Sequence, residues 1–353
     1  MIDFRSDTVT QPSIEMKKVM FDAALGDDVF GDDPSVNHLQ ELAADSLGYE
    51  AGLFAPSGTQ ANLIALMAHC QRGEDAIVGQ QWHTYRWEAG GMAVLGSIQP
   101  QPLENQADGR INLSDIEAAI KPDDAHFART RLIVIENTTG GKVLPLEYMQ
   151  SVESLAKRRG LSCHIDGARL MNAAVSQNPL NPYAQVRALC EGFDSVSLCL
   201  SKGLGAPIGS VLVGSKDFIL RARRVRKMLG GGLRQAGFLA AAGSFAIQNN
   251  ILRLAEDHSN AEFLAAGLKK ASSDNPRLQG KLNIYAANTN ILFSDLDSDL
   301  FVDFSAHLSA NGILVTFTSL PSSTKPLHRF RFVTHLNISR QDILKTVDVI
   351  SSF

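Results

Sequence analysis

Two segments of the chain carry a carboxylate and a lysine in settings that suit cofactor chemistry. HIDGAR spans residues 164–169 and CLSKGLGAPIGS spans residues 199–210, which places Asp166 ahead of Lys202. A lysine amine can carry pyridoxal phosphate covalently, and a carboxylate can keep the ring nitrogen of that cofactor protonated. The pair therefore predicts a pyridoxal-phosphate site, although a lysine between serine and glycine is by itself more often a solvated turn residue.

The segment APSGTQANLIALMAH (55–69) has the pattern of a strand, a small-residue turn and a helix. The first N–H groups of a helix are unpaired and carry partial positive charge, so Gly58 and Thr59 are candidate ligands of the cofactor phosphate. The alternative is an ordinary helix cap by Ser57 or Thr59. Arg234, after the glycines of GGGLRQAG, is a second phosphate candidate or else a surface arginine.

Two arginines are candidates for binding an anion. Arg169 follows Asp166 by about one helical turn, where it can bind a substrate carboxylate or the phenolic oxygen of the cofactor. Arg331 alternates with Phe330 and Phe332 in RFRFVTH, so it points away from the face that they share. An arginine in that position either pairs with an acid or binds an anion, and the sequence does not choose between them.

Two histidines are candidates for proton transfer. His83 lies in GQQWHTYRWE after a predicted strand, where an imidazole can stack on the cofactor ring or accept a proton. A lone histidine is nevertheless more often structural. His126 lies in DDAHFART, and its spacing alone gives it no catalytic role.

The composition is that of a globular enzyme. Of the 353 residues, 44% are hydrophobic and 20% are charged, and the apolar runs fall short of the roughly 20 residues that cross a bilayer. The formal net charge is −4 and the basic run RARRVRK (221–227) is local, which argues against nucleic-acid binding. The polar N-terminus and four cysteines without CxxC spacing predict buried thiols in the cytoplasm and neither a metal site nor disulfides.

Strand and helix patterns alternate between about residues 50 and 215, which predicts an α/β domain with a mostly parallel sheet. Polar residues follow several strands at the edge where ligands of such sheets bind. Helices predicted at 215–229, 234–249 and 251–271 lead to a smaller α+β domain. Its predicted antiparallel sheet has strands at 282–293, 312–318 and 328–335, with a loop at 319–329. We therefore predict a large domain over 1–250, including the N-terminal segment, and a small one over 251–353. The predicted strands of the large domain are 51–55, 75–79, 131–137, 161–166, 195–201 and 209–214.

Further motifs accompany these residues along nearly the whole chain. They are RSDTVTQP (5–12), GDDVFGDDP (26–34), SGTQANL (57–63), HFARTRL (126–132), ENT (136–138), SKGLGAPIGS (201–210), KMLGGGLRQAG (227–237) and RFVTHL (331–336). With them the chain resembles the L-threonine aldolases of low or allo specificity, a branch of the aspartate-aminotransferase-like (fold type I) pyridoxal-phosphate enzymes. It departs from their pattern in ENTTGGK, where relatives often continue with His-Asn, and at Phe30, where tyrosine is common.

The resemblance implies a role for each candidate residue. Lys202 would hold the cofactor, Asp166 would meet its ring nitrogen, and His83 would stack on the ring and act as a candidate base. The remaining implied roles are phosphate binding by Gly58, Thr59 and Arg234, binding of the substrate carboxylate by Ser6, Arg169 and Arg331, and a position near the substrate β-hydroxyl for His126.

The resemblance also implies an activity and an assembly. The expected reaction is the cleavage of L-threonine, L-allo-threonine and related β-hydroxy-α-amino acids to glycine and an aldehyde. The alternative is another reaction of the same cofactor, β-elimination or transamination, because the pocket selects the reaction. A binding protein without catalysis is a further alternative. The expected assembly is a homodimer or homotetramer with active sites between subunits.

Overall fold

The computed structural model describes residues 1–320 and 325–353 of the chain. Two compact units are present: Pro12–Ile251, the large unit, and Met1–Gln11 with Leu252–Phe353, the small unit. The predicted division placed the first eleven residues in the large domain, whereas the structure groups them with the small unit. Strand β1 (Ile2–Asp3) pairs in parallel with residues 313–314. Ile2 and Phe4 are buried in the core of the small unit.

The large unit is built on a seven-stranded sheet with the order β2-β8-β7-β6-β5-β3-β4. All neighbours are parallel except that β8 runs antiparallel to both β2 and β7. Most of the central strands are buried along their whole length, as expected for apolar strands covered on both faces. The strands are β2 (Ala51–Ala55), β3 (Asp75–Gly79), β4 (Gln99–Leu103), β5 (Thr130–Glu136), β6 (Ser162–Asp166), β7 (Ser195–Cys199) and β8 (Ser210–Gly214).

Helices cover this sheet, and one of them leads directly to the site. The third helix begins after Ser57, whose Oγ accepts the N–H of Gln60 at 3.1 Å. Its apolar face packs with Leu53, Leu212 and Phe218 in one buried cluster. The helices are α1 (Ile14–Phe21), α2 (Pro34–Leu47), α3 (Gly58–His69), α4 (His83–Arg86), α5 (Gly91–Val94), α6 (Leu113–Ala119), α7 (Leu146–Arg159), α8 (Leu170–Gln177), α9 (Pro182–Cys190), α10 (Lys216–Met228) and α11 (Gly237–Asn249).

The small unit has the predicted antiparallel sheet, with the order β12-β13-β10-β9. The single strand predicted from residue 282 is divided into two, and the predicted strand 312–318 is divided at Val315. Residues 321–324, which fall in a predicted loop at 319–329, lie outside the described residues, and 327–329 belong to a strand. The elements are β9 (Leu282–Ile284), β10 (Ile291–Asp297), β11 (Ile313–Leu314), β12 (Thr316–Leu320), β13 (Leu327–Val333), α12 (Leu254–Asp274), α13 (Phe301–Ala310) and α14 (Arg340–Ser351).

The basic run 221–227 bonds within its own unit. Arg226 is buried and its Nη2 lies 2.7 Å from Oδ2 of buried Asp28, while Arg223 donates to the carbonyl of Asp28 at 2.9 Å. The basic run and the acidic segment 26–34 therefore bind each other. Across residues 1–320 and 325–353, no helix has the length and apolarity to cross a membrane.

Candidate active site

The carboxyl ends of neighbouring strands bring three polar residues into register. Glu136 at the end of β5 pairs with Asp166 at the end of β6, and Asp166 pairs with Ser197 of β7. Beside them lies a cavity of about 310 Å³, within the range of small-molecule sites. Asp166, Lys202, His83, Gly58 and Thr59 all line it. The structure thus brings together five of the residues that the sequence indicated.

Asp166 is held at a fixed orientation. Only 1% of the residue is exposed. Its Oδ1 accepts a hydrogen bond from the N–H of Ala168 at 3.1 Å, and its Oδ2 accepts one from Nδ2 of Asn62 at 2.9 Å. A buried carboxylate in this position needs compensating hydrogen bonds or a cation. The protonated ring nitrogen of pyridoxal phosphate is a cation of the required kind.

His83 is held by two carboxyl groups, one of which lies at the end of a strand. Its backbone N–H donates to Oε2 of Glu136 at 2.5 Å, and its Nδ1 lies 2.8 Å from Oε1 of Glu88. The hydrogen bond to Glu88 raises the pKa of the imidazole, the charge of Asp166 acts in the same direction, and burial opposes them. With Nδ1 engaged by Glu88, Nε2 is the ring nitrogen that remains for a substrate or water.

The two glutamates are strongly affected by burial. Burial, with the charge of Asp166, raises the pKa of Glu136 to about 8. Burial also raises the pKa of Glu88, against the hydrogen bonds from His83 and Asn62. Atoms of His83, Glu88 and Asp166 that can ligate a cation lie within 4.8 Å of one another. A positive group placed here would meet a strongly anionic environment.

Another part of the cavity lining suits a phosphate. The N-terminus of α3, at Gly58 and Thr59, presents unpaired N–H groups. Ser210 also lines the cavity, and its buried Oγ has no hydrogen-bond partner within the described part of the chain. Lys202 lies in the turn after β7 and lines the same cavity. The residues therefore fit pyridoxal phosphate: a helix terminus for its phosphate, a lysine for its aldehyde and Asp166 for its nitrogen.

Other predicted site residues do not line this cavity. His126 is 87% exposed in its side chain and bonds Asp124 through Nδ1 at 2.6 Å. Arg234 donates from Nη1 to Oδ2 of Asp27 at 2.9 Å. Arg169 is half-buried immediately before α8. The roles of these residues stay predictions.

The last two predicted residues belong to the small unit. Ser6 caps a short 3-10 helix (Asp7–Val9), where its Oγ accepts the N–H of Thr8 at 3.2 Å. Arg331 is half-buried on β13 and donates from Nη2 to the carbonyl of Arg5 at 2.8 Å. Phe330 and Phe332 lie in the core, as the alternation predicted. Binding of the substrate carboxylate by Ser6 and Arg331 also stays a prediction.

Sequence reasoning gave no role to several residues that either line the cavity or bond to a residue that lines it. Asn62 is a polar residue among the buried apolar residues of α3, and Glu136 ends an apolar strand in the same way as Asp166. Both are signals that could have been used. Glu88 offered no signal, because its contacts with His83 and Asn62 depend on how the chain folds between α4 and α5. Ser197 and Ser210 likewise sit within apolar strands.

The sheet, with its cavity at the strand ends, defines the class of α/β proteins that carry a pyridoxal-phosphate site. A family model described as beta-eliminating lyase matches residues 3–289. A low specificity L-threonine aldolase of Escherichia coli O157:H7 is 48% identical over 343 residues, covering 97% of this chain and 96% of the relative. A probable low-specificity L-threonine aldolase 2 of Arabidopsis thaliana is 42% identical, covering 97% and 94%.

A solved structure of a Leishmania major threonine aldolase covers 100% of this chain and 99% of its own, with a TM-score of 0.83. Its identity of 20% makes this a likeness of fold. The chain belongs to the beta-eliminating lyase family, in the group of the low-specificity L-threonine aldolases. The predicted fold class and the resemblance are both confirmed.

Proposed function

We propose that the protein is a pyridoxal-phosphate-dependent aldolase that cleaves L-threonine, L-allo-threonine and related β-hydroxy-α-amino acids to glycine and an aldehyde. The observation that carries the proposal is the cavity that brings Lys202, Asp166 and His83 together at the ends of parallel strands. The names of the relatives at 42% and 48% identity support the choice of reaction.

The residues of the cavity divide the work of holding the cofactor. Lys202 would hold its aldehyde carbon, Asp166 would keep its ring nitrogen protonated, and Gly58 and Thr59 would bind its phosphate. When bound, pyridoxal phosphate withdraws the electron pair that is left on the substrate Cα when the Cα–Cβ bond breaks. Arg169 is proposed to bind the substrate carboxylate, a role that the resemblance also implies for Ser6 and Arg331.

His83 is the base that the geometry supports. Cleavage requires removal of the proton from the β-hydroxyl, so that its oxygen forms the carbonyl of the aldehyde as the Cα–Cβ bond breaks. With Nδ1 bonded to Glu88 at 2.8 Å, the neutral imidazole carries its lone pair on Nε2, which takes that proton. The Glu88 carboxylate then stabilises the imidazolium, as the carboxylate does in a catalytic triad. His126, exposed and bonded to Asp124, is less suited within one chain.

We also propose that the protein works as a homodimer or homotetramer in the cytoplasm. The large unit exposes Ile14 (79%), Phe21 (84%) and Phe30 (76%), and burial of these large apolar side chains against a second copy would be favourable. All four cysteines are buried free thiols, which supports a reducing compartment. Measurement of the solution mass by light scattering tests the assembly, and a monomer would contradict it.

Incubation with L-threonine and pyridoxal phosphate tests the activity. Aldol cleavage gives glycine and acetaldehyde, whereas β-elimination gives 2-oxobutanoate and ammonia, and transamination gives a keto acid that retains the hydroxyl. We expect acetaldehyde in amounts equal to glycine. Lys202→Ala should abolish product formation, while Lys216→Ala, an exposed lysine at the start of α10, should leave it unchanged. Formation of 2-oxobutanoate without acetaldehyde would refute the proposed reaction.

A further inference from the structure

A buried chain of hydrogen bonds runs from Asp166 to the far end of α3. Nδ2 of Asn62 donates to Asp166 and Glu88 at 2.9 and 2.8 Å. Oδ1 of Asn62 lies 3.4 Å from Nε2 of His164. Nδ1 of His164 lies 2.8 Å from Oγ of Ser195, which lies 2.7 Å from Nε2 of His69.

The periodicity of the secondary structure places these residues on one line. His164 and Asp166 are two residues apart on β6, so they share a face of the sheet. His164 is the register partner of Ser195 on β7. Asn62 and His69 are seven residues apart on α3, which returns them to the same face of the helix. The side chains therefore meet between α3 and the sheet.

The direction of each hydrogen bond follows from the carboxylates at one end. Only the NH₂ group of Asn62 can donate to Asp166 and Glu88, so its Oδ1 must accept, from Oγ of Ser197 at 2.5 Å and from Nε2–H of His164. Burial lowers the pKa of His164 to about 3, so the ring is neutral and its Nδ1 is bare. The same reasoning applies along the rest of the chain.

Nδ1 of His164 therefore accepts the hydroxyl proton of Ser195, and Oγ of Ser195 accepts Nε2–H of His69. Burial also lowers the pKa of His69 to about 3, so this ring is neutral as well. His69 stacks on Phe218, with ring centroids 4.4 Å apart, and borders a second cavity of about 330 Å³. As long as the Asn62 NH₂ group faces the two carboxylates, none of these hydrogen bonds can exchange its donor and its acceptor.

We propose that His69, Ser195 and His164 form a one-directional relay whose function is to position the Asn62 amide, and through it the carboxylates of Asp166 and Glu88. These three are positioning residues, since the His83 and Asp166 side chains are the groups that meet substrate and cofactor. Without the relay, the Asn62 amide could turn its oxygen toward Asp166, and the repulsion would move the carboxylate away from the ring nitrogen. The last step rests on the proposed binding of pyridoxal phosphate.

The first experiment needs no cofactor. In the apoprotein with ¹⁵N-labelled histidine, two-bond nitrogen–proton correlation spectra distinguish a protonated ring nitrogen from a bare one. We expect His164 and His69 to carry their proton on Nε2 and to have a bare Nδ1 at neutral pH. Signals are assigned with His164→Gln and His69→Gln. A proton on Nδ1 of His164 would overturn the relay, whatever reaction the protein catalyses.

The second experiment measures what the relay does. Equilibrium dissociation constants are determined for pyridoxal phosphate and for its analogue with carbon in place of the ring nitrogen. The ratio of the two constants reports the contact between Asp166 and that nitrogen. Ser195→Ala should lower this preference about threefold to tenfold, which is the size of one lost hydrogen bond. Ser195→Thr, which keeps the hydroxyl, should preserve it.

The control is Ser244→Ala, which removes a buried hydroxyl of α11 with no partner in the described chain and should leave the ratio unchanged. A merely structural role of Ser195 would weaken both ligands equally, and an unchanged ratio in Ser195→Ala would overturn the proposal. Should the wild-type protein itself bind both ligands equally, the proposed role of Asp166 fails. The histidine spectra then still decide whether the relay exists.

Discussion

Replacing Glu88 by glutamine tests the contact that makes His83 a base. Oε1 of Glu88 lies 2.8 Å from both Nδ1 of His83 and Nδ2 of Asn62. Glutamine keeps the shape and the accepting oxygen but removes the negative charge. The variant therefore separates the orientation of the imidazole, which it retains, from stabilisation of the imidazolium, which it loses.

The size of the effect follows from the hydrogen bond that changes. Hydrogen bonds to charged groups contribute about 1.5–3 kcal/mol, against about 1 kcal/mol for neutral ones. The difference is about 0.5–2 kcal/mol. Because the His83 side chain is 39% exposed, solvent screening favours the lower half of this range, a loss of about 1 kcal/mol. This corresponds to a roughly fivefold decrease in kcat/KM for L-threonine. Because Glu88 raises the pKa of His83, its neutralisation should also move the acidic limb of the pH profile to lower pH.

The assay is kcat/KM for acetaldehyde release between pH 5 and 9, with the cofactor saturating. Glu117→Gln is the matched control, since Glu117 is 46% exposed and pairs with Arg159 on the surface. It should match the wild-type protein at every pH. An acidic limb that stays in place in Glu88→Gln, or moves to higher pH, would show that His83 is not the group that must be neutral.

Three further variants probe the cavity. Asp166→Asn should retain cofactor on Lys202 yet lose most of the rate, and an unaltered rate would show that ring protonation is not controlled there. The native pKa of Glu136 is about 8, above its ordinary 4.5. The free energy of unfolding of the apoprotein should therefore decrease as the pH rises from 4.5 to 8. Glu136→Gln should remove that fall, on the order of a few kcal/mol by urea denaturation, and parallel pH curves would contradict it. Gly209→Ala should lower the free energy of unfolding by roughly 2 kcal/mol or more, because φ is +102° and the new Cβ would lie 2.5 Å from Cε2 of Phe54. A smaller loss in the same titration would mean that Phe54 moves aside.

The sheet could be predicted where single segments carry the signal. The six predicted strands of the large unit are confirmed because each is a short apolar run between turn residues. The strand β4 was missed, since QPQPL contains Pro100 and Pro102 and has little apolar surface. Proline is tolerated there because β4 is an edge strand, which is a property of the assembled sheet rather than of the segment.

The same division between local and long-range signals applies to the site. Asp166 and Gly58 were found because a strand end and a helix start are visible in the sequence. Glu88 acts through His83, Asn62 and Asp166, and these contacts join α3, α4 and β6. No spacing in the sequence encodes them.

The buried carboxyl groups of the site make folding less favourable but suit the binding of a cation. Glu136 and Asp166 end neighbouring strands and Glu88 lies between α4 and α5, and burial raises the pKa of both glutamates. Apolar residues of similar shape would fold with less electrostatic cost. The arrangement is explained if a cation completes it, since the Asp166 carboxylate stabilises a positive ring nitrogen and that charge in turn favours the ionised form of the nearby glutamates. The electrostatic cost of burying these groups in the apoprotein is then offset when the cofactor binds. The holoprotein should be more stable than the apoprotein by the free energy of binding. In this view His83, which contacts Glu136 through its backbone N–H and Glu88 through Nδ1, can gain and lose a proton during the reaction while both contacts stay in place.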